Sequence, residues 1–302
     1  MPLDLRPLTL AELLDRSFST YKRHVWLFAG IMAVPAGLGL AMAITIRFFN
    51  EPPPPGTPPA MVFRYVAPLL TAAFALGMVY MVIYLFAIGA TTIAVSELYL
   101  GRAITIKHAY ERVRPNVGRL ILLAIWGGLR IAGAWLVLTV VSVALGLVLG
   151  FISSILAVLA FPIAILLSFA LTTFMAVRYG VAVPALVLEG ITAGQALARS
   201  VELTKGNLGR VFLIILCAII IAYATAAIFQ GPFALAALVA GPGTPSALVL
   251  GILGATVGSI GHMFSGPIMI IGLAMIYYDL RIRKEALDLQ LLLENLDAPR
   301  PA

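Results

Sequence analysis

Residues 117–188 read VGRLILLAIWGGLRIAGAWLVLTVVSVALGLVLGFISSILAVLAFPIAILLSFALTTFMAVRYGVAVPALVL and carry only three charged side chains, Arg119, Arg130 and Arg178. A helix of about 20 apolar residues crosses the hydrocarbon core of a bilayer. This stretch is therefore long enough for two long membrane-spanning helices or for three short ones. The choice between them decides the topology of the whole chain.

The overall composition is that of a membrane protein. Of the 302 residues, 62% are hydrophobic and 11% are charged, whereas soluble domains are about half apolar and about a quarter charged. The net charge of +7 comes from basic residues beside apolar runs, without the interleaved aromatic residues of a nucleic-acid groove. We therefore expect membrane lipids with anionic head groups as partners, and no nucleic acid.

The positions of the basic residues predict the topology. Further apolar runs lie near residues 25–45, 69–95, 208–229 and 248–277. Of the 20 Lys and Arg residues, all but Arg47, Arg64 and Arg130 lie in four segments before span one, between spans two and three, around the segment before span five, and after span six. The positive-inside rule places all four in the cytoplasm. Three short spans in 117–188 would put one basic loop outside, so the pattern favours six spans with cytoplasmic termini.

Turn-forming residues predict the outer connections. The run Pro52–Pro59 is rich in proline and cannot continue a helix. Gly231-Pro232 and the residues 241–245 are expected to separate spans five and six. The remaining outer connection, near residues 146–151, must be very short.

Three cytoplasmic segments resemble one another. They read LTLAELLDRSFSTYKRHVWLF from Leu8, ITIKHAYERVRPNVGRLIL from Ile104 and ITAGQALARSVELTKGNLGRVFL from Ile191. In each, an aliphatic residue precedes a threonine, and an amphipathic stretch leads into a span. The spacing predicts three repeats, each made of one interfacial amphipathic helix and two spans.

The threonines of these segments match helix caps. Thr9 with Glu12, and Thr192 with Gln195, fit the capping box, in which each side chain bonds the other residue's backbone N–H. Thr105 with His108 is a weaker version of the same pattern. The apolar face of the first helix is expected to lie in the interface, toward the lipid acyl chains.

These observations predict an all-α polytopic membrane protein of three domain segments. Residues 1–24 form a cytoplasmic amphipathic helix, and residues 25–280 form a six-span membrane domain with interfacial helices near 104–116 and 191–206. Residues 281–302 form a cytoplasmic tail, whose basic residues and leucine-rich face could dock a membrane or cytosolic protein partner. The plainer alternative is that the tail continues span six along the membrane surface.

An arginine stands seven residues after each cap threonine, at Arg16, Arg112 and Arg199. One interpretation is an interfacial charge that faces lipid phosphate. The other is a pseudo-threefold set of anion contacts around a central cleft, because the planar guanidinium can hold a phosphate through two hydrogen bonds.

Two polar residues fall inside predicted spans and are candidate lipid or anion contacts. Arg130 lies about 16 Å into span three, where an unpaired charge costs at least about 2.5–3.5 kcal/mol. Its side chain is therefore expected to point into the bundle, with His262 of span six as a neighbour; a structural pairing with carbonyls, or snorkelling, is the alternative. His262 is flanked by glycines, and a neutral, hydrogen-bonded state is its alternative role.

Gly254 and Gly258 form a small-xxx-small pair, which predicts close helix packing.

Part of the sequence resembles a known family. The segment VPALVLEGITAGQALARSVELTKGNLGR from Val183, the ending IYYDLRIRKEALDLQLLL from Ile276 and the opening LTLAELLDRSFSTYKRH are similar to the membrane-domain family named after glycerophosphoryl diester phosphodiesterases. In some members this domain is fused to a phosphodiesterase barrel. That barrel's signature begins with His-Arg, and none of the three histidines here is followed by arginine. The resemblance thus implies a stand-alone member and gives no phosphodiesterase activity.

The sequence therefore predicts a non-enzymatic protein of the bacterial cytoplasmic membrane that interacts with lipids or other membrane components. It could hold or move an amphiphile between the repeats. The alternatives are a permease-like subunit of a transporter energised by a partner and, disfavoured by missing acid–base and metal residues, a lipid phosphodiesterase. With the single Cys217 and three scattered histidines, no metal site and no cofactor are expected.

Overall fold

The computed structural model describes residues 8–49, 56, 58–241 and 243–285, and every regular element within them is helical. Six helices are long and apolar enough to cross a membrane. They are α2 (Val25–Phe49), α3 (Pro59–Tyr99), α5 (Val117–Ile152), α6 (Ser154–Tyr179), α9 (Leu208–Ala240) and α10 (Pro245–Glu285). Four helices are short: α1 (Leu10–Arg23), α4 (Ile106–Val113), α7 (Ala182–Glu189) and α8 (Ala193–Thr204). The predicted all-α class with six spans is confirmed.

The ambiguous stretch of residues 117–188 forms two long helices followed by the short α7. Only Ser153 separates α5 from α6, and its extended backbone (φ −163°, ψ 132°) reverses the chain. The short outer connection exists as predicted, although it lies just after residues 146–151 and not within them.

The helices extend beyond several of the predicted span ends. Helix α9 continues through Gly231-Pro232 to Ala240, and α2 extends past residue 45 to Phe49. Proline inside a membrane helix is tolerated because neighbouring groups can satisfy the freed backbone carbonyl. As a result, Gln230 and Arg47 lie within helices of the bundle. Most of the predicted outer segment Pro52–Pro59 falls outside the described residues.

The predicted helix caps are confirmed. The backbone N–H of Thr9 donates to Glu12 Oε2 at 2.7 Å, and that of Thr192 donates to Gln195 Oε1 at 3.0 Å, completing a capping box at each helix. Thr105 accepts a hydrogen bond from the backbone N–H of His108 at 3.3 Å without the reciprocal bond. Threonine in these three positions therefore starts α1, α8 and α4.

The order of elements runs short, long, long in three successive groups, with α7 inserted before the third group. The groups are α1 to α3, α4 to α6, and α8 to α10. A rotational relation between them stays a prediction, as do the predicted domain limits. The tail beyond Glu285 lies outside the described residues, so its proposed docking role is also still a prediction.

The apolar face of α1 packs on protein, and the prediction that it faces the acyl chains is wrong. Leu13 and Ser17 are buried, and the Tyr21 hydroxyl donates to the carbonyl of Phe264 in α10 at 2.8 Å. Helix α10 supplies an apolar surface at this level, and packing against it removes the apolar face of α1 from water.

The packed core lies at the end of the bundle that carries the basic segments. It is built from the beginnings of α2 and α9, the ends of α3 and α10, and the short helices. Tyr277 and Ile271 of α10 are fully buried at its centre. At the opposite end, large apolar side chains point outward, as with Phe151, which is 92% exposed. Outward apolar side chains of this kind are stable only when lipid surrounds them.

Candidate functional site: a polar cavity within the bundle

A cavity of about 270 Å³ lies between α2, α3, α9 and α10. Its polar lining consists of one side chain or more from each of these helices: Arg47, Tyr80, Gln230, Ser259 and His262. Small residues fill the rest of the wall, including Ala36 and Gly39 of α2. From Ala36 to Arg47 the cavity follows α2 for about 17 Å, at 1.5 Å per residue.

Glycines on α10 make room for the two longest polar side chains. A Cβ atom at Gly251 would lie 2.9 Å from Nε of Arg47, and one at Gly258 would overlap Nε2 of Gln230. Both approaches are closer than real Cβ contacts, so a side chain at either position would require Arg47 or Gln230 to move. The glycine face of α10 therefore admits Arg47 from α2 and Gln230 from α9.

The same glycine face brings α9 and α10 together. A Cβ atom at Gly254 would lie 2.9 Å from Cβ of Phe233. Close packing around the Gly254–Gly258 pair is confirmed, because both glycines contact α9 side chains directly. Gly254 and Gly258 thus allow α9 and α10 to pack closely, and Gly258 also leaves space for the Gln230 side chain.

Aromatic rings form the inner wall of the cavity. The rings of Tyr80 and Tyr84 stack with centroids 5.8 Å apart, and Tyr84 stacks on His262 at 6.2 Å. Tyr80 also packs close to Gly39 of α2. This stack fixes the imidazole of His262 toward α3, at the inner end of the cavity.

The cavity carries positive charge without a carboxylate. None of its described lining residues is Asp or Glu. Within the described residues Arg47 forms no ion pair, and its one hydrogen bond, to the carbonyl of Ala43 in its own helix, is long at 3.5 Å. An ionised arginine on a membrane helix is stable only beside water, a polar partner or an anion. Guanidinium, amide and hydroxyl donors together suit an anionic oxygen-rich group.

Arg130 does not lie in this cavity. Its side chain is exposed, and its guanidinium carbon lies 6.0 Å from the ring centroid of Tyr179, the last residue of α6. The prediction that Arg130 points into the bundle beside His262 is therefore wrong. Its role as a lipid or anion contact stays a prediction.

The starting point of α5 explains this error. The first turns of α5 lie beside α7 and α8: Arg119 donates to the carbonyl of Gly190 at 2.7 Å, and Gly127 faces Leu197. Counting from Val117 therefore places Arg130 too deep, because α5 extends beyond the end of α6. The residue is level with the end of α6, not with the middle of the bundle.

Arg112 and Arg199 bind carboxylates. Arg112 pairs with Glu97 at the end of α3. Arg199 pairs with Glu189 of α7 through its Nε at 3.1 Å and also with Glu285 of α10. Burial acts to lower the pKa of Arg199, but its hydrogen bonds and charge interactions with these two carboxylates outweigh that and raise the pKa. These partners differ from the expected lipid phosphate, and a shared anion cleft stays a prediction.

Arg16, the first of the three equivalent arginines, is partly buried on α1. It belongs to the face next to the buried Ser17, whose hydroxyl donates to the Leu13 carbonyl at 2.8 Å. The candidate residues are thus distributed over the end of the bundle with the basic segments, apart from His262, which lines the cavity.

Asp279 is a buried carboxylate that was not among the predicted site residues. Its side chain is fully buried and accepts hydrogen bonds from the Leu8 N–H at 2.8 Å, Arg283 Nε at 2.9 Å and Arg210 NH2 at 3.1 Å. These bonds connect the segment before α1 with α9 and α10. A lone carboxylate within the apolar run IYYDL was the available signal.

Arg47 and Gln230 were also missed as site residues. Arg47 was assigned to an outer loop, and Gln230 lay just beyond the predicted end of span five at residue 229. A glutamine in an otherwise apolar run, well before the predicted loop at residues 241–245, was the signal that could have placed it in a helix.

The six long apolar helices, the outward apolar surface and the internal polar cavity define a polytopic helical membrane protein. Its residues 148–296 match the family model for the membrane domain of glycerophosphoryl diester phosphodiesterase. The family resemblance is thereby confirmed over the second half of the chain, which includes Gln230, Ser259 and His262 of the cavity. No curated protein and no solved structure matches the chain.

Proposed function

We propose that this chain is a non-enzymatic protein of the bacterial cytoplasmic membrane that holds an anionic amphiphile, such as an acidic phospholipid. The head group binds in the cavity between α2, α3, α9 and α10. Arg47 neutralises its negative charge, and Gln230 and Ser259 donate hydrogen bonds to its oxygen atoms. The acyl chains extend along the apolar outer surfaces of the helices.

The observation that carries this proposal is the position of Arg47. Its side chain is exposed, borders the cavity and has no carboxylate partner among the described residues. A charge held among membrane helices is costly unless it is paired, so an anion from outside the chain is the natural counter-charge. A cationic ligand would be repelled by Arg47 and would find no carboxylate in the described cavity wall.

The position of the cavity in the chain fits the predicted repeats. Helices α2 and α3 belong to the first group of elements, and α9 and α10 belong to the third. A ligand in this cavity would therefore contact two of the three groups at once. Binding would stabilise their mutual packing at the end of the bundle that lacks the buried core.

The test is retention of lipid by the purified protein. The chain is extracted in mild detergent, and its bound phospholipids are identified by native mass spectrometry. Arg47→Gln should lose most of the bound acidic phospholipid, because the glutamine keeps hydrogen-bonding capacity but not the charge. Arg64→Gln is the matched control, since Arg64 is an exposed arginine of α3 outside the cavity.

The comparison of the two variants decides the outcome. Loss with Arg47→Gln and retention with Arg64→Gln support the proposal. Equal retention in wild type and Arg47→Gln, or bound lipid that is entirely zwitterionic, contradicts it. Equal loss in both variants contradicts it as well, because the charge would then act through the membrane surface and not through the cavity.

A further inference from the structure

A second cavity lies at the end of the bundle that carries the basic segments, where α6, α8 and α9 meet. Its volume is about 300 Å³, and its wall contains two cationic side chains, Arg178 and Lys205. Thr204, Gly206 and Leu208 complete the wall nearest to these cations. The cavity of Arg47 uses none of these residues.

Hydrogen bonds between α6 and α8 hold the backbone of Arg178 close to the end of α8. The hydroxyls of Ser200 and Thr204 donate to the backbone carbonyl of Arg178 at 2.9 and 3.4 Å. Both hydroxyl-bearing residues are fully buried. Lys205 follows Thr204 directly, so these bonds place residues 178 and 205 side by side at the ends of their helices.

Neither cation has a carboxylate partner within the described residues. The guanidinium carbon of Arg178 lies 5.5 Å from the ring centroid of Phe174 and forms no ion pair there. The nearest acidic residue in the sequence, Glu202, pairs with Arg199 at 3.4 Å on another side of α8. An anion held by both side chains would supply the counter-charge that each lacks among the described residues.

Other basic residues at this end of the bundle behave differently. Arg199, Arg281 and Arg283 each contact a carboxylate of α7, α8 or α10. Arg178 and Lys205 therefore differ from these three arginines in charge balance, and both line the same cavity.

We propose that this cavity is a phosphate-binding site formed by Arg178 and Lys205. Its ligand is a phosphate group with at least one negative charge, carried either by a phospholipid head group or by a free phosphate. Arginine can hold two oxygens of the group, and lysine adds a point charge. Basic pockets between membrane helices at the cytoplasmic surface are of the kind that binds anionic head groups.

Thermal stability of the full chain in lipid nanodiscs tests the site, because a bound ligand raises the melting temperature. One arm compares nanodiscs of phosphatidylcholine with nanodiscs that also contain phosphatidylglycerol. The other arm adds inorganic phosphate to the phosphatidylcholine nanodiscs, with chloride at equal ionic strength as reference. Stabilisation by phosphatidylglycerol alone identifies a head group, and stabilisation by inorganic phosphate identifies a free anion.

The variants are Arg178→Gln and Lys205→Gln, with Lys22→Gln as control because Lys22 is an exposed cation of α1. Each is made in an Arg47→Gln background, which removes the contribution of the first cavity. We expect the two site variants to lose most of the remaining stabilisation and the control to keep it. Lys205→Arg, which preserves the charge at an exposed position, should also keep it. Because the Arg47 cavity is disabled in all of these proteins, failure of this site and failure of the proposed function are distinguishable.

Three results would overturn the proposal. One is an equal response of the Arg47→Gln parent, Lys205→Gln and Lys22→Gln to both additions. Another is the absence of any response in that parent. The third is loss of the response in Lys205→Arg as well as in Lys205→Gln, because a site for phosphate should accept either cation.

Discussion

The backbone N–H of Leu8 donates to Oδ1 of Asp279 at 2.8 Å, although the two residues are 271 positions apart in the chain. The carbonyl of the same residue, Leu8, accepts hydrogen bonds from Arg210 at 2.7 Å and from Arg283 at 2.5 Å. Both backbone polar groups of Leu8 are thus satisfied by side chains of α9 and α10. The start of α1 is bound to the last membrane helix, and Asp279 is the charge that holds the two arginines there.

Asp279→Asn should destabilise the protein by about 3 kcal/mol, because it leaves two partly buried arginines without their counter-charge. The measurement is thermal unfolding in detergent, together with the rate of trypsin cleavage at Lys22 and Arg23 of α1. We expect a lower melting temperature and faster cleavage, since α1 loses its attachment to α10.

Asp15→Asn is the control for this variant, because Asp15 is exposed on α1. It should change neither the melting temperature nor the cleavage rate appreciably. Wild-type stability and cleavage in Asp279→Asn would contradict the assigned role of Asp279.

Arg199→Gln should also destabilise the chain, by about 1.5–3 kcal/mol, because Glu189 and Glu285 would lose one of the two arginines that they share and keep only Arg281. Arg199→Lys should recover only part of the loss, since one ammonium group cannot reproduce the geometry of the guanidinium. Denaturation curves of the three proteins provide the comparison, with Lys107→Gln as an exposed control. Full recovery by lysine would show that charge alone is required.

The contribution of Arg199 to the stability of the fold has a pH dependence of definite sign. A raised pKa in the folded state means that the contribution is complete below the unfolded pKa of arginine and is lost only as pH rises through the folded value. Arginine stays protonated up to about pH 12, so the stability difference between wild type and Arg199→Gln should not fall as pH rises from about 6 to about 9. A difference that vanishes over this interval would argue against a charged Arg199.

Gly258→Ala should be destabilising, although alanine is a better helix former than glycine. Its Cβ would overlap Nε2 of Gln230, and overpacking of this kind costs about 1–3 kcal/mol. Adding Gln230→Ala to the same chain should remove the collision. A double-mutant cycle measured by thermal unfolding should therefore give a favourable coupling between the two substitutions.

Gly209→Ala is the matched control for that cycle, because a Cβ atom at Gly209 of α9 would meet no atom within 4 Å. It should be neutral or slightly stabilising. Additive effects of Gly258→Ala and Gln230→Ala would mean that the two residues do not contact each other in the membrane.

The orientation of the bundle stays a prediction from charge, with both termini cytoplasmic and Pro52–Pro59 outside. In a Cys217→Ala background, Ser246→Cys at the start of α10 should react with a membrane-impermeant maleimide in intact cells. Lys22→Cys at the end of α1 should react only after permeabilisation. Both positions are exposed, so the reverse pattern would contradict the predicted orientation.

Local signals in the sequence were sufficient to predict the helices and their caps. Thr9 with Glu12 and Thr192 with Gln195 form capping boxes because the interaction involves residues only three positions apart. The number of spans also followed from the sequence, since the thickness of a bilayer sets the length of an apolar helix. Both results depend on physics that acts within one segment.

The site depends on contacts between distant segments, and the sequence did not predict these contacts. Arg130 was placed at mid-bilayer because its depth was counted from Val117, but α5 extends along α7 and α8 before it reaches the level of α6. Arg47 and Gln230 were missed because glycines of another helix, Gly251 and Gly258, make their space. One sequence does not indicate which glycine faces which polar side chain.

A structure of the full chain in nanodiscs of native lipid, determined by electron cryomicroscopy, tests the central claim most directly. We expect density for an anionic head group in the cavity between α2 and α10, with an oxygen atom within hydrogen-bond distance, about 3 Å, of the Arg47 guanidinium. A cavity that holds only ordered water, or an Arg47 side chain that points out of the bundle, would contradict the proposed function.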